Sequence, residues 1–383
     1  MNVTGDWINA EPTQGVCRML EVAGFQALFV GGCVRNALLK APVSDIDIAT
    51  DAQPDTVVQL AEKAGLKAIP TGIEHGTVTV VSDGLPHEVT TFRKDVETFG
   101  RHATVAFSKD VFEDARRRDF TMNALYARSD GMVIDPLGGL SDLKARRVRF
   151  IEDPNQRIRE DYLRILRFFR FHAWYGDPQA GLDNEGLAAV AQHIDGLSDL
   201  SRERVGTEVV KLLTAPDPAP SVAVMRASGV LMTVLPGADD RALAPLVHLE
   251  GLAGVAPDGM RRLAALGGDS LQEWFRLSKA QARRVNMLRS EAAGLRGPAE
   301  LGYRFGETVG QDILLLRAAL LEQLWNDGDL EQLRKGAAAS FPLKAADLMP
   351  AYEGPQLGER LRELEQRWIT SGFTLTRDDL LAE

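Results

Sequence analysis

The chain has 383 residues, 45% hydrophobic and 26% charged, a soluble-globular balance that is long enough for two or three domains with a substantial core. No run approaches the ~18 consecutive apolar residues of a membrane span, and Asp6, Glu11, Pro12 and Arg18 interrupt the start, so neither a spanning helix nor a signal-peptide core is expected. The two cysteines, Cys17 and Cys33, lack metal-type spacing and point to a reducing, cytoplasmic setting.

The net charge of −10 argues against nucleic acid only as a sum. Residues 144–170 hold nine basic side chains against four acidic, and residues 259–297 hold eight against three. Two cationic segments on an acidic chain suit local grip on phosphates, although solvated helix faces would read the same.

In chain order, residues 26–30 form a short apolar run that ends at Gly31-Gly32 and predicts a strand, a glycine turn and then a helix. Glycines there allow backbone N–H groups to approach an anion, and Arg35 could add a fork to a phosphate. The third glycine of a dinucleotide fingerprint is missing. Residues 45–49 alternate carboxylate and apolar side chains, the period of a strand. Asp45 and Asp47 then share one face while Ile46 and Ile48 enter the core. Adjacent carboxylates repel each other, and hard oxygen donors of this kind favour Mg²⁺ with phosphates; a solvated strand end is the plainer alternative. Residues 54–64 predict a helix, and residues 77–81 and 87–92 predict a hairpin around Ser82-Asp83-Gly84.

Arg116-Arg117-Arg118-Asp119 is expected to enter an apolar helix and to need anionic company, whether triphosphate, RNA backbone or solvent. Strand signals fade after residue 142, and residues 160–174, 202–213 and 271–295 have helical period. Residues 215–221 predict a Pro-rich linker. On the helix over 160–174, Arg164, Arg167 and Arg170 fall near Asp161 on one face, beside Leu163, Leu166 and Phe169. An Asp and an Arg one turn apart can offer an acceptor and donors to a planar partner, or simply form a salt bridge.

The ordered motifs GGCVR, DIDIAT, RRRDFTMNAL, DPLGGLSDLKARRVRFI and EDYLRILRFFRF resemble the class II CCA-adding enzymes and bacterial poly(A) polymerases of the DNA polymerase β superfamily. ERVGTEVVKLL, at residues 203–213, is similar to the motif that closes the family's neck. The likeness runs from about residue 25 to 215, and beyond it only helical character is shared. It implies an α+β fold with a small mixed-sheet nucleotidyltransferase head at 1–140, a helical neck at 141–215, and a helical body and tail at 216–383 that bind tRNA. It implies transfer of CMP and AMP from CTP and ATP to the 3′ end of tRNA with Mg²⁺ as cofactor; no obligatory protein partner is indicated. Poly(A) addition and an inactive RNA-binding relative stay as alternatives.

By the resemblance, Asp45 and Asp47 bind metal, with Glu88 as a supporting carboxylate. Gly31, Gly32 and Arg35 hold the triphosphate, and Arg117 and Arg118 add nucleotide contacts. Asp161 and Arg164 serve as a protein template, with Arg167 and Arg170 supporting the base or phosphates. That pairing suits cytosine and adenine, each with an exocyclic amine beside a ring acceptor, and mismatches uracil and guanine. In the second cationic segment Arg276, Lys279, Arg283, Arg284 and Arg289 are expected to meet RNA. Asn36 stands where the family has Asp, and Tyr162 where it has Pro; both departures are expected to be minor. A flexible segment between the hairpin and the arginine motif, with Phe99-Gly100-Arg101-His102 inside it, fits a switch from cytidine to adenosine. No His-Asp dipeptide occurs, so a metal phosphohydrolase domain is not indicated, and the six histidines are scattered.

Overall fold

The structure is a computed structural model that describes residues 1–99 and 102–382, with the side chains at 95–105 left aside. The segment Phe99-Gly100-Arg101-His102, expected to switch nucleotide choice, therefore lies outside the described side chains. The chain divides into two compact units, Met1–Val234 and Leu235–Glu383.

The first unit is built on a seven-stranded sheet. Its strands are β1 (Leu28–Val30), β2 (Asp47–Thr50), β3 (Lys67–Gly72), β4 (Thr77–Ser82), β5 (Leu85–Thr91), β8 (Tyr126–Arg128) and β9 (Val133–Ile134). A separate two-stranded ribbon joins β6 (Arg93–Phe99) to β7 (His102–Phe107). The order in the large sheet is β3-β4-β5-β2-β1-β8-β9, antiparallel except where β2 runs parallel to β5. The β4–β5 hairpin turns at Asp83-Gly84, where both residues have positive φ as the turn requires. The alternation over 45–48 is satisfied in three dimensions, since Ile46 and Ile48 are buried. β2 itself begins only at Asp47, leaving Asp45 exposed on its approach.

Helices cover the sheet and continue the unit. Phe120, Phe150, Phe168 and Phe171 pack together, with ring centroids 4.8–5.2 Å apart for the closest pairs, and so seat the helix Leu163–Tyr175 against the segment after the arginines. Burying such rings contributes about 1.5–3 kcal/mol each, which fixes that helix far better than its local propensity would.

Four predicted elements differ from the structure. The helix expected over 160–174 starts later, spanning Leu163–Tyr175, and Glu160 ends a separate helix, Pro154–Glu160, because Asp161 is extended at φ −155° and ψ 105°. The Asp161 side chain accepts from the N–H of Leu163, the first residue of the later helix, at 3.1 Å, with Tyr162 between them as N-cap. The triple arginine leaves the helix Val111–Arg116 and precedes only a 3₁₀ turn, Thr121–Asn123; Asp119 Oδ1 accepts from Phe120 N at 2.9 Å and redirects the chain. The helix Ala219–Ala227 begins inside the predicted linker, since Pro220 sits in its first turn, where a missing N–H costs nothing. The stretch 271–295 breaks at Arg276, whose φ is +49°, and restarts at Lys279 under a capping box made by Ser278 and Gln281.

The second unit is helical throughout its described residues, including Gly259–Leu266, Lys279–Ala292, Pro298–Leu320 and Gly354–Thr370. Inside it, Arg261 and Arg262 are 3% and 1% exposed, and the carboxylates of Glu250 and Asp312 hold them at 2.6–2.9 Å. Buried charges of this kind are tolerated because each is paired. No helix of the described residues is long and apolar enough to cross a membrane.

Candidate nucleotidyl-transfer site

The parallel pairing of β2 with β5 sets Asp47 directly beside Glu88. Burial and the neighbouring charges of Glu88 and Asp45 push the Asp47 carboxyl up to about 6, while Arg118 pulls the other way. Asp47 and Glu88 are thus paired oxygen donors of the kind that magnesium prefers, with Asp45 exposed just before them, although among the described residues no three such side chains converge on one point. The nearby Cys33 thiol is no competitor. Burial pushes it up to about 11, and its sulfur donates to the carbonyls of Val30 and Asp47, tying the glycine helix to β2.

At the end of β1, Gly31 adopts φ +68°, which disfavours any side chain. A Cβ there would lie 3.4 Å from Arg118 Nη1, so the glycine turn and the arginine motif meet. Arg118 is held in place by Asp114, at 3.1 Å from Oδ2, and by the Tyr126 hydroxyl, at 3.2 Å. Asp114 also takes Arg117 Nε at 2.8 Å and the Tyr126 hydroxyl at 2.7 Å. Burial alone would raise the Asp114 carboxyl, but Arg118 and Arg117 more than offset it and hold it at about 2.

Arg35, expected to grip a phosphate, is only 6% exposed and already donates to Asn36, Asn123 and Tyr175. Its guanidinium lies 3.9 Å from the Tyr175 ring centroid. These bonds couple the glycine helix to the end of the arginine helix.

Asp161 and Arg164 do not pair with each other. Asp161 Oδ2 accepts from Arg204 at 2.7 Å, and Arg164 Nη1 donates to Glu160 at 2.5 Å and to the Arg157 carbonyl at 2.8 Å. Arg164 Nη2 reaches the carbonyl of Arg117 at 3.2 Å, and Arg157 reaches that of Arg116 at 2.9 Å. Further along, Arg167 Nε bonds Asp119 at 2.7 Å and Arg170 bonds Glu208 at 2.6 Å. Arg167, with Asn123, holds the buried Asp119 carboxyl at about 2 against its desolvation. Asp161 and Arg164 thus share no salt bridge, Arg164 pairing instead with Glu160 four residues before it, and Arg167 and Arg170 bond carboxylates from elsewhere in the first unit.

Sequence reasoning missed Asp114, Tyr126, Tyr175, Arg204 and Glu208. Asp114 had a signal, since it stands three and four residues before Arg117 and Arg118, the spacing of helical ion pairs. Arg204 had none, being 43 residues from Asp161. In the second unit Arg276, Lys279, Arg283 and Arg289 are exposed. Arg284 is different, with Asp258 and Asp312 at 2.9 and 2.8 Å neutralising it.

Residues 27–149 match a family profile described as "Poly A polymerase head domain", and residues 181–241 one described as "Probable RNA and SrmB- binding site of polymerase A". The chain is 31% identical over 370 residues to the mitochondrial CCA tRNA nucleotidyltransferase 1 of Mus musculus, covering 92% of this chain and 85% of that protein. It is 39% identical over 222 residues to the CCA-adding enzyme of Levilactobacillus brevis, covering 57% and 54%. Among solved structures, the Bacillus stearothermophilus CCA-adding enzyme in complex with CTP superposes with a TM-score of 0.73 at 26% identity, over 94% of this chain and 93% of that one. The Thermotoga maritima enzyme complexed with tRNA shares the fold at 19% identity, with a TM-score of 0.71 over 100% and 97% of the two chains. With the likeness running through both units, this chain belongs to the family of CCA-adding enzymes, the CCA tRNA nucleotidyltransferases.

Proposed function

We propose that this protein transfers CMP and AMP from CTP and ATP to the 3′ end of tRNA and releases pyrophosphate. The observation that carries the reading is the meeting of Asp47, Glu88, Gly31 and Arg118 at one end of the sheet. Asp45 and Asp47, supported by Glu88, are the residues that would hold Mg²⁺. When bound, that ion polarises phosphate and favours the ionised 3′-hydroxyl. The turn at Gly31 opens the start of the helix Gly32–Leu38 to the triphosphate, Gly31 N–H itself being bonded to the Leu125 carbonyl, and Arg118, with Arg117 beside it, counters the phosphate charge. Arg35 acts on the phosphates through the position it gives the glycine helix.

Asp161 and Arg164 select the base. With its present bonds Arg164 keeps Nε–H and one Nη2 hydrogen, and each Asp161 oxygen keeps a lone pair. Those free donors and acceptors match cytosine and adenine. Arg167 and Arg170 stiffen the same face through Asp119 and Glu208. Within the first unit, residues 1–140 form the transfer head and 141–215 the neck, and 216–383 form a body and tail that grip tRNA through Arg276, Lys279, Arg283 and Arg289. The free, buried Cys17 and Cys33 suit a reducing, cytoplasmic setting.

The test is incorporation of each labelled triphosphate into tRNA lacking its last nucleotides, with wild type and Asp47→Ala. CMP followed by AMP, abolished in the variant, is the expected result. AMP alone, added repeatedly, would instead identify a poly(A) polymerase, and full activity in Asp47→Ala would remove the metal assignment.

A further inference from the structure

A cavity of about 620 Å³ opens within the first unit beside the approach to Asp45. Ser44 lies in its wall and donates to Asp45 Oδ2 at 3.1 Å. Three cations, Arg146, Arg170 and Lys211, line it, and among the described residues no carboxylate does, although the chain carries a net charge of −10. Glu208 neutralises Arg170, but Arg146 and Lys211 are exposed and form no ion pair with a described residue.

The cavity also has an aromatic wall. Trp174 is 40% exposed, and it is held rather than loose. Its Nε1 donates to the Lys211 carbonyl at 2.8 Å, and its ring centroid is 6.4 Å from that of Tyr175. Behind Tyr175 sits the buried Arg35 guanidinium, which has polar partners but no carboxylate hydrogen-bonded to it. The Asp119 carboxylate acts on that guanidinium, so the positive field of the cavity comes chiefly from Arg146 and Lys211.

A free phosphate would use the cations and leave the indole idle, and an apolar ligand would use the indole and leave the cations unsatisfied. A single-stranded nucleotide uses both, by stacking its base and neutralising its phosphates. The volume is within the range of small-ligand sites. We propose that this cavity takes the last unpaired nucleotide of the RNA acceptor, its base on Trp174 and its phosphates facing Arg146 and Lys211. Its 3′-hydroxyl is thereby presented to Asp45. The inference rests on the nucleotidyl-transfer reading and makes Trp174 a positioning residue.

The experiment is AMP addition to tRNA ending in CC, with wild type, Trp174→Ala, Trp174→Phe and Lys211→Glu, each checked for an unchanged thermal transition. Trp174→Ala should raise the KM for tRNA roughly 5- to 100-fold, the worth of one base–aromatic stack, and leave the KM for ATP unchanged. Trp174→Phe should recover most of the loss, which a purely structural role would not require. Lys211→Glu should raise the same KM and flatten its salt dependence. A tRNA whose terminal nucleotide lacks its base should hurt the wild type and add nothing to the loss in Trp174→Ala. An unchanged KM for tRNA in Trp174→Ala would overturn the proposal. A raised KM for ATP alone would overturn it too, and would make the cavity a second nucleotide site. If wild type incorporates no nucleotide at all, the transfer reading fails, and the same variants in direct tRNA binding then decide the cavity on its own: a roughly tenfold weaker Kd in Trp174→Ala upholds it and an unchanged Kd overturns it.

Discussion

Replacing Asp114 with Asn tests the architecture of the site at its most concentrated point. The substitution keeps the side-chain shape and removes one negative charge from a position with 0% side-chain exposure. Arg117 and Arg118 then share a neutral amide, and the Tyr126 hydroxyl loses its carboxylate acceptor. The lowering of Asp114 from 3.8 to about 2 converts to about 2.5 kcal/mol of folding stability. Direct removal of one partner from a buried pair costs about 3–5 kcal/mol, so a loss of about 2–5 kcal/mol is expected. Because the folded value is depressed, this stability is fully present above the unfolded value of 3.8. It is lost as pH falls through about 2. Urea unfolding followed by circular dichroism should therefore show a constant gap between wild type and variant above about pH 5. The gap should narrow below pH 3.8, as far down as the fold persists. Arg118 also loses its anchor beside Gly31, and a weakened charged hydrogen bond of about 1.5–3 kcal/mol predicts a roughly 10- to 100-fold higher KM for both CTP and ATP. A variant within about 0.5 kcal/mol of wild type with normal KM values would refute the reasoning.

Arg204→Ala should free the Asp161 carboxylate, lowering discrimination against UTP and GTP roughly tenfold in four-way competition, within the worth of one charged hydrogen bond; Arg164→Ala should do the same by leaving the base acceptor unpaired, and full selectivity in both would move base choice elsewhere. In the second unit, Lys279→Ala with Arg283→Ala should weaken tRNA binding and reduce its salt slope by about one per lost phosphate contact. Arg284→Ala should instead lower stability, because it strips a partner from Asp258 and Asp312; an unchanged unfolding midpoint would show that pairing to be without weight.

Local pattern made the sheet and the glycine turn legible, because each depends on neighbours within a few residues. Alternation alone put Ile46 and Ile48 inward. What stayed hidden depends on contacts between distant segments. The 3.6-residue period across 160–174 is blind to a single extended residue, so the break at Asp161 was invisible, and with it the exchange of Arg164 for Arg204 as that aspartate's partner. The arginine triplet looked like a surface cluster in search of an anion. The fold supplies one in Asp114, a carboxylate that in sequence resembles any helix-surface acid. Trp174 is no more than the last residue of the helical period and Tyr175 lies beyond it, and only the positions of Lys211 and Arg35 set the two apart.

Two of the bonds that join the arginine helices to the triplet end on main-chain oxygens, those of Arg116 and Arg117. A carbonyl is present whatever side chain a residue carries. Substitution at 116 or 117 therefore cannot remove these acceptors, whereas adding or deleting one residue between 114 and 116 displaces both. It would also break the spacing that lets Asp114 hold Arg118. Genetic drift in this segment is thus constrained in length more tightly than in spelling. A library of single-residue insertions and deletions should find it intolerant where a library of substitutions at 116 finds it permissive.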